Sequence, residues 1–167
     1  YCGLKTREWD EIFSENLWMN RRNPDQANIT SLKDLETLIA VAHEHAVKVS
    51  ITLNAPFYPE NGMAYMLTLC SRLADMGVDA LIVSDLNLLI ELSRLNLGLR
   101  IHLSSLGACF HSFSVPFYKS LGVKRVILPR QLTLPEIKAI VTKHRDDMEF
   151  EVFAVNDGCY FEESFCQ

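Results

Sequence analysis

Two thiols, Cys159 and Cys166, stand with six residues between them after the last β-rich run of the chain. Thiolates hold iron–sulfur clusters or zinc, usually four at a time. On spacing alone, two small buried hydrophobes are therefore the preferred reading of this pair. Glu151 lies inside an alternating run, Glu149-Phe150-Glu151-Val152. A carboxylate turned into a protein interior costs several kcal/mol unless paired or protonated, on the order of a lost buried charge. Glu151 is thus either half of a structural ion pair, with Arg130 as candidate partner, or an acid/base or substrate-binding group. His102 and Ser104 are two residues apart on one strand and share a face, poor geometry for a direct hydrogen bond between nucleophile and base. Asn54, Ser84, Ser104 and Asn156 are candidate substrate contacts near strand ends. His43 and His45 fall at a helix end, where an imidazolium suits the dipole, and read as structural. Cys70 belongs to a helical apolar stripe and reads as core, while Cys2 and Cys109 near strand ends are disfavoured as extra thiolates. The sequence contains no Walker loop, Gly-x-Gly-x-x-Gly, His-Glu-x-x-His or Gly-x-Ser-x-Gly.

Positioning such residues requires strands alternating with helices, and the chain is patterned that way. Three stretches echo one another: Ala46-Val47-Lys48-Val49-Ser50-Ile51, Gly77-Val78-Asp79-Ala80-Leu81-Ile82 and Gly122-Val123-Lys124-Arg125-Val126-Ile127. Each closes an amphipathic helical pattern and opens a β-rich run, two of them with Gly at the helix stop. Further strands are predicted over 99–103 and 149–155. Leu32, Leu35, Ile39 and Ala42 form one helical stripe, and Met63, Met66, Leu67, Cys70 and Leu73 another. Asp85 is placed to cap a helix, and Thr133-Leu134-Pro135-Glu136 is a capping box.

Alternation of this kind gives parallel strands, in a doubly wound sheet or part of a (β/α) barrel. Strand faces decide between the two. Val49, Ile51 and Leu53 oppose Ser50, Thr52 and Asn54; Ile101 and Leu103 oppose Arg100, His102 and Ser104. A sheet covered by helices on both faces should be apolar throughout. One apolar and one mixed face predict a TIM-type barrel segment of about five strands plus a stub at 1–4, with the site at the strand C-termini. The doubly wound sheet is the runner-up. The stretch 6–28, with Trp9, Trp18, Arg21 and Arg22, reads as a long loop, either functional or an aromatic plug over the barrel.

The chain has 167 residues, 49% apolar and 22% charged, the size and composition of one globular domain. We therefore expect a single unit over 1–167, a piece of a longer protein. Net charge is −5, which excludes a strongly basic nucleic-acid module but not a local patch such as Lys5, Arg7, Arg21 and Arg22. No apolar run reaches the ~18 residues of a membrane span, and no secretory leader is visible. Five cysteines, an odd count, argue for a reducing, cytoplasmic setting rather than a disulfide framework.

The ordered set 48–54, 78–86, His102-Leu103-Ser104-Ser105, 123–134 and Glu151-Val152-Phe153, followed by the Cys pair, resembles the collagenase-like peptidase family from Tyr1-Cys2-Gly3 to the end. The resemblance implies a barrel-type fold lacking the family's first strand and helix and its C-terminal part. It implies that Cys159 and Cys166 match the first two ligands of a 4Fe–4S cluster, with the remaining ligands beyond Gln167. It also implies oxygen-independent hydroxylation of an RNA pyrimidine or a ubiquinone-precursor ring, prephenate being the oxygen donor. Some members work in pairs, so a homo- or heterodimer with another barrel protein is expected. Val155-Asn156-Asp157-Gly158 replaces a usual His-Gly-Ala-Leu, and Glu162-Glu163-Ser164-Phe165 a usual Tyr-Ser-Gly-Arg, so the site surroundings are those of a divergent subfamily. The expected activity is an iron–sulfur hydroxylase with Glu151, Arg130 and His102 as catalytic residues. A peptidase and a non-catalytic partner subunit are the alternatives.

Overall fold

A computed structural model describes residues 1–13, 17–21 and 28–155. Seven parallel strands form one sheet among these residues: β1 (Cys2–Leu4), β2 (Asn28–Ile29), β3 (Ser50–Leu53), β4 (Ala80–Val83), β5 (Arg100–Leu103), β6 (Val123–Ile127) and β7 (Glu149–Glu151). Their spatial order is β2-β1-β3-β4-β5-β6-β7. Six helices accompany them: α1 (Arg7–Phe13), α2 (Leu32–Glu44), α3 (Glu60–Asp75), α4 (Leu86–Leu95), α5 (Ser114–Ser120) and α6 (Leu134–His144). From β3 onward each strand lies beside its predecessor. Right-handed crossovers that always step the same way leave their helices on one face, whereas a doubly wound sheet must reverse its order.

Packing follows that topology. Val49, Ile51, Leu53, Leu81, Val83, Ile101, Leu103 and Val126 form one core with helix residues such as Leu35, Ile39, Met66, Leu73, Leu89, Val115 and Ile140. Ala80, Ile82 and Ile127 are also buried but lie outside that cluster, on the opposite face. This second face is concave. Tyr1, just ahead of β1, donates its hydroxyl hydrogen bond to Glu151 of β7. Five strand spacings separate β1 from β7, about 24 Å in a flat sheet. Only a rolled sheet lets the two side chains meet, and the result has the layout of a partial TIM-type barrel.

Local signals explain the element boundaries. Asp85 caps α4 by accepting from Leu88 N at 2.6 Å, and its other oxygen accepts from Tyr58 N at 3.2 Å. Thr133 N donates to Glu136 at 2.8 Å ahead of α6. Gly77 and Gly122 turn out of their helices at φ +83° and +84°, a region glycine enters freely. In the first repeat Ala46 takes that place at φ 56°.

Two expectations are corrected. The last strand ends at Glu151 rather than at residue 155, because Leu128 N→Glu151 O (2.9 Å) is the last rung of its ladder. The 6–28 stretch is not simply a loop: it carries α1, and β2 follows at its end. β2 was invisible in the sequence because two residues are too few to alternate.

Candidate functional site

The concave face carries polar groups in two tiers. In the lower tier, cross-strand register sets Ile82 beside His102, His102 beside Arg125, and Arg125 beside Glu149. Arg100 donates to Glu149 at 2.6 Å, Arg125 reaches Glu149 at 2.9 Å and Glu151 at 3.3 Å, and Tyr1 completes the ladder on Glu151. The two guanidinium groups hold the Glu149 carboxyl below its usual range, Arg100 contributing most. Glu151 therefore points into the concave face, as its alternation predicts. The ion-pair partner seen for it is Arg125; Arg130, the predicted partner, lies with its guanidinium over the Phe153 ring at 5.0 Å.

The upper tier, at the strand C-termini, is uncharged on β3, β4 and β5, and Glu151 at the end of β7 stands level with it. Asn54, Ser84 and Ser104 follow β3, β4 and β5 in the same positions of successive strands. Asn54 Nδ2 donates to Ser104 Oγ at 3.4 Å, spanning the intervening β4 where Ser84 sits. Asn54 Oδ1 accepts from Arg21 N at 3.0 Å, tying the segment above to the rim. That segment is pinned further by Asn20 Nδ2→Leu4 O at 2.8 Å and Tyr58 OH→Met19 O at 2.5 Å. Trp9 is buried against Phe13, Tyr58 and Tyr65 and donates to Leu17 O at 2.5 Å. Trp18 instead stays half-exposed with Arg21 over its ring. Trp9 thus joins the helix-side core rather than plugging the barrel, and Trp18 stays at the surface.

One polar side chain of each tier lacks a partner. His102 is 4% exposed and Ser84 9% exposed, and neither imidazole nitrogen nor the Ser84 hydroxyl makes a hydrogen bond. A buried polar group left unmatched costs roughly 1–3 kcal/mol, so nothing in the fold itself rewards these two. Burial, helped by the Arg125 and Arg100 charges, pushes the His102 imidazole down to about 4 and keeps it neutral near pH 7. His102 and Ser104 are not bonded to each other; the Ser104 hydroxyl accepts from Asn54 and from Leu106 N. The shared-face geometry read from the sequence is therefore what forms, and it is no nucleophile–base pair.

The cysteines split differently. Burial pushes the Cys70 thiol up to about 12 and the Cys109 thiol up to about 11. Cys2 pairs with Ile51 on the helix-covered face. Among the described residues no group of three or more His, Cys, Asp or Glu side chains is arranged to hold a metal. These thiols do not fit an iron–sulfur cluster. Cys159, Cys166 and Asn156 lie outside the described residues.

Arg125 is the functional-site residue that sequence reasoning missed. Ile101 pairs with Val123 but His102 with Arg125, so Lys124 is an extra residue in β6. Such a bulge breaks simple alternation and hides which of two adjacent cations turns inward. The rim just beyond β5 is tightly built. A Cβ on Gly107 would lie 2.4 Å from Cδ1 and 2.7 Å from Cγ of fully buried Leu103. Gly107→Ala is expected to cost about 1–3 kcal/mol through overpacking, lowering Tm by several degrees in thermal unfolding.

Comparison with known proteins adds the following. The family model described as Peptidase family U32 matches residues 1–167. The chain is 34% identical over 162 residues to an uncharacterized protease of Methanocaldococcus jannaschii, covering 95% of this chain and 35% of that protein. It is 29% identical over 136 residues to the 23S rRNA 5-hydroxycytidine C2501 synthase of Escherichia coli, covering 78% of this chain and 20% of the synthase. The chain thus spans about a third or less of these relatives. The solved structure of the U32 peptidase Mk0906 superposes with a TM-score of 0.61 at 18% identity, over 82% of this chain and 60% of that one, a likeness of fold. Among the described residues no helix is long and apolar enough to cross a membrane.

Proposed function

The chain belongs to peptidase family U32, and from that premise we propose that the protein it comes from hydroxylates a pyrimidine base of RNA. The observation that carries this reading is the upper tier. At the carboxyl ends of parallel strands, where barrel enzymes keep their sites, the chain sets the uncharged hydrogen-bonding groups Asn54, Ser84 and Ser104. A base offers an uncharged edge of donors and acceptors, and such a row suits it. The similarity to a synthase of 5-hydroxycytidine supports the same class of acceptor.

In this reading Asn54, Ser84, Ser104 and Asn156 contact the acceptor, His102 lines the pocket beneath it, Glu151 flanks it from β7, and Arg130 stands at its edge beside Phe153. Cys159 and Cys166 would provide two thiolates of a 4Fe–4S cluster, the other ligands coming from outside this chain. When bound, the cluster would supply one-electron chemistry. Prephenate is the oxygen donor in this proposal, and a second barrel protein is the partner. A quinone-precursor ring is the competing acceptor. A peptidase is disfavoured because His102 and Ser104 are not hydrogen-bonded to each other.

The full-length protein, purified without oxygen, is expected to be brown. RNA from cells carrying the intact gene is expected to contain a hydroxypyrimidine that is missing when Cys159→Ser and Cys166→Ser are introduced together. Identical nucleoside profiles with and without the gene, together with iron-free protein after anaerobic reconstitution, would refute the proposal. Gelatin cleavage surviving in the double variant would favour the peptidase instead.

A further inference from the structure

The two unmatched groups on the concave face are neighbours by construction. Ile82 lies beside His102, and the ladder continues upward through Val83↔Leu103 and Ser104 N→Val83 O at 2.8 Å. Ser84 is therefore one step above His102 on the adjacent strand, facing the same side. Around them the polar groups of this face satisfy one another: Arg100, Arg125, Glu149, Glu151 and Tyr1 in the lower ladder, Asn54 and Ser104 above. Among the described residues of this face, the Ser84 hydroxyl and the His102 ring remain without partners, although both are more than nine-tenths buried.

We infer that Ser84 and His102 form the recess that takes the hydrogen-bonding edge of a neutral planar ring, as an unpaired pyrimidine base presents it. The inference rests on the RNA-base reading above. A neutral imidazole offers one donor and one acceptor, and a serine hydroxyl rotates to offer either. The local charge is already balanced, two guanidinium groups against two carboxylates. An anionic ligand would find no surplus cation in the ladder, and an ammonium no surplus carboxylate. What the recess lacks is a partner with uncharged donors and acceptors. The Asn54–Ser104 contact that spans Ser84 is long, at 3.4 Å, and therefore weak. It can yield to an entering edge.

The test uses the full-length protein and two single-stranded oligonucleotides, one carrying a uridine and the other N3-methyluridine at that place. The methyl group removes the donor from the middle of the edge. Wild type is expected to bind the methylated strand about tenfold more weakly, the loss of roughly one or two neutral hydrogen bonds. Ser84→Ala and His102→Leu are expected to bind the two strands within twofold of each other. His102→Gln, which keeps one donor and one acceptor, is expected to restore part of the difference. Ser84→Ala should also leave Tm unchanged or raise it, because the hydroxyl has no partner in the fold. Equal binding of both strands by wild type overturns the inference. So does discrimination that survives Ser84→Ala with a lowered Tm, which would make Ser84 a structural residue. If wild type hydroxylates RNA but the variants discriminate as it does, this recess alone is refuted. If wild type neither binds nor hydroxylates RNA, the RNA-base reading falls with it.

Discussion

Acidification from pH 7 to pH 4 is expected to remove about 3 kcal/mol of folding stability through His102 alone. Burial and the nearby Arg125 and Arg100 charges hold its imidazole at about 4, against 6.5 for a free side chain; Glu151 and Glu149 oppose this only in part. In the unfolded chain the ring takes its proton near pH 6.5. Between these values the unfolded state carries more protons than the folded one, so stability rises with pH. The contribution is complete above about 6.5 and is lost as pH falls toward 4. Glu149 behaves differently: its depressed carboxyl contributes above the usual carboxylate range and gives way only below it. The Glu149 loss therefore sets in only at the acid end of the His102 window, as pH falls past the ordinary carboxylate value of 4.5. Denaturant unfolding at pH 7, 6 and 5, above the carboxylate range, measures the His102 loss, and His102→Gln should flatten it. An unchanged pH slope in that variant would show that the loss originates elsewhere.

Arg125→Met is expected to cost about 2 kcal/mol and to let His102 protonate at higher pH. Breaking a fully buried ion pair costs about 3–5 kcal/mol. Here the side chains of Arg125, Glu149 and Glu151 are 31%, 48% and 30% exposed, so solvent screens part of that. One substitution nevertheless strips a partner from both carboxylates and from Tyr1. It also removes one of the cations that oppose an imidazolium, while Glu151 and Glu149 remain to favour it. Arg125→Lys should fall between the two, because one ammonium cannot fork to two carboxylates. Thermal unfolding reads the stability, and an NMR titration of the His102 ring reads the coupling. A His102 titration that does not move would separate the ladder from the imidazole.

Much of this arrangement is legible in the sequence, and the illegible parts share a physical cause. Strand faces can be read where alternation is unbroken. Ser50 and Thr52 fall on one side, Val49 and Ile51 on the other, and the inward turn of Glu151 follows from Phe150 beside it. The caps at Asp85 and Thr133 act within a few residues and are equally plain. Arg125 escaped notice because the extra Lys124 interrupts the period. Its bonds also reach β7 and Tyr1, more than twenty and more than a hundred residues away in sequence, which no local pattern reports. The fate of Trp9 and Trp18 was hidden for the same reason. Nine residues apart on one segment, they are sorted into core and surface by Tyr58 and Tyr65, which belong to later parts of the chain.

The amide of Asn54 has one more implication. Its oxygen is committed to a main-chain NH of the overlying segment, while its nitrogen makes only the long contact to a hydroxyl two strands away; turned end for end, it would set its NH2 against that main-chain NH. Part of the mouth is thus oriented before anything arrives. A guest meeting it need not pay the entropy of arranging that wall, and binding can be selective without being slow to organise.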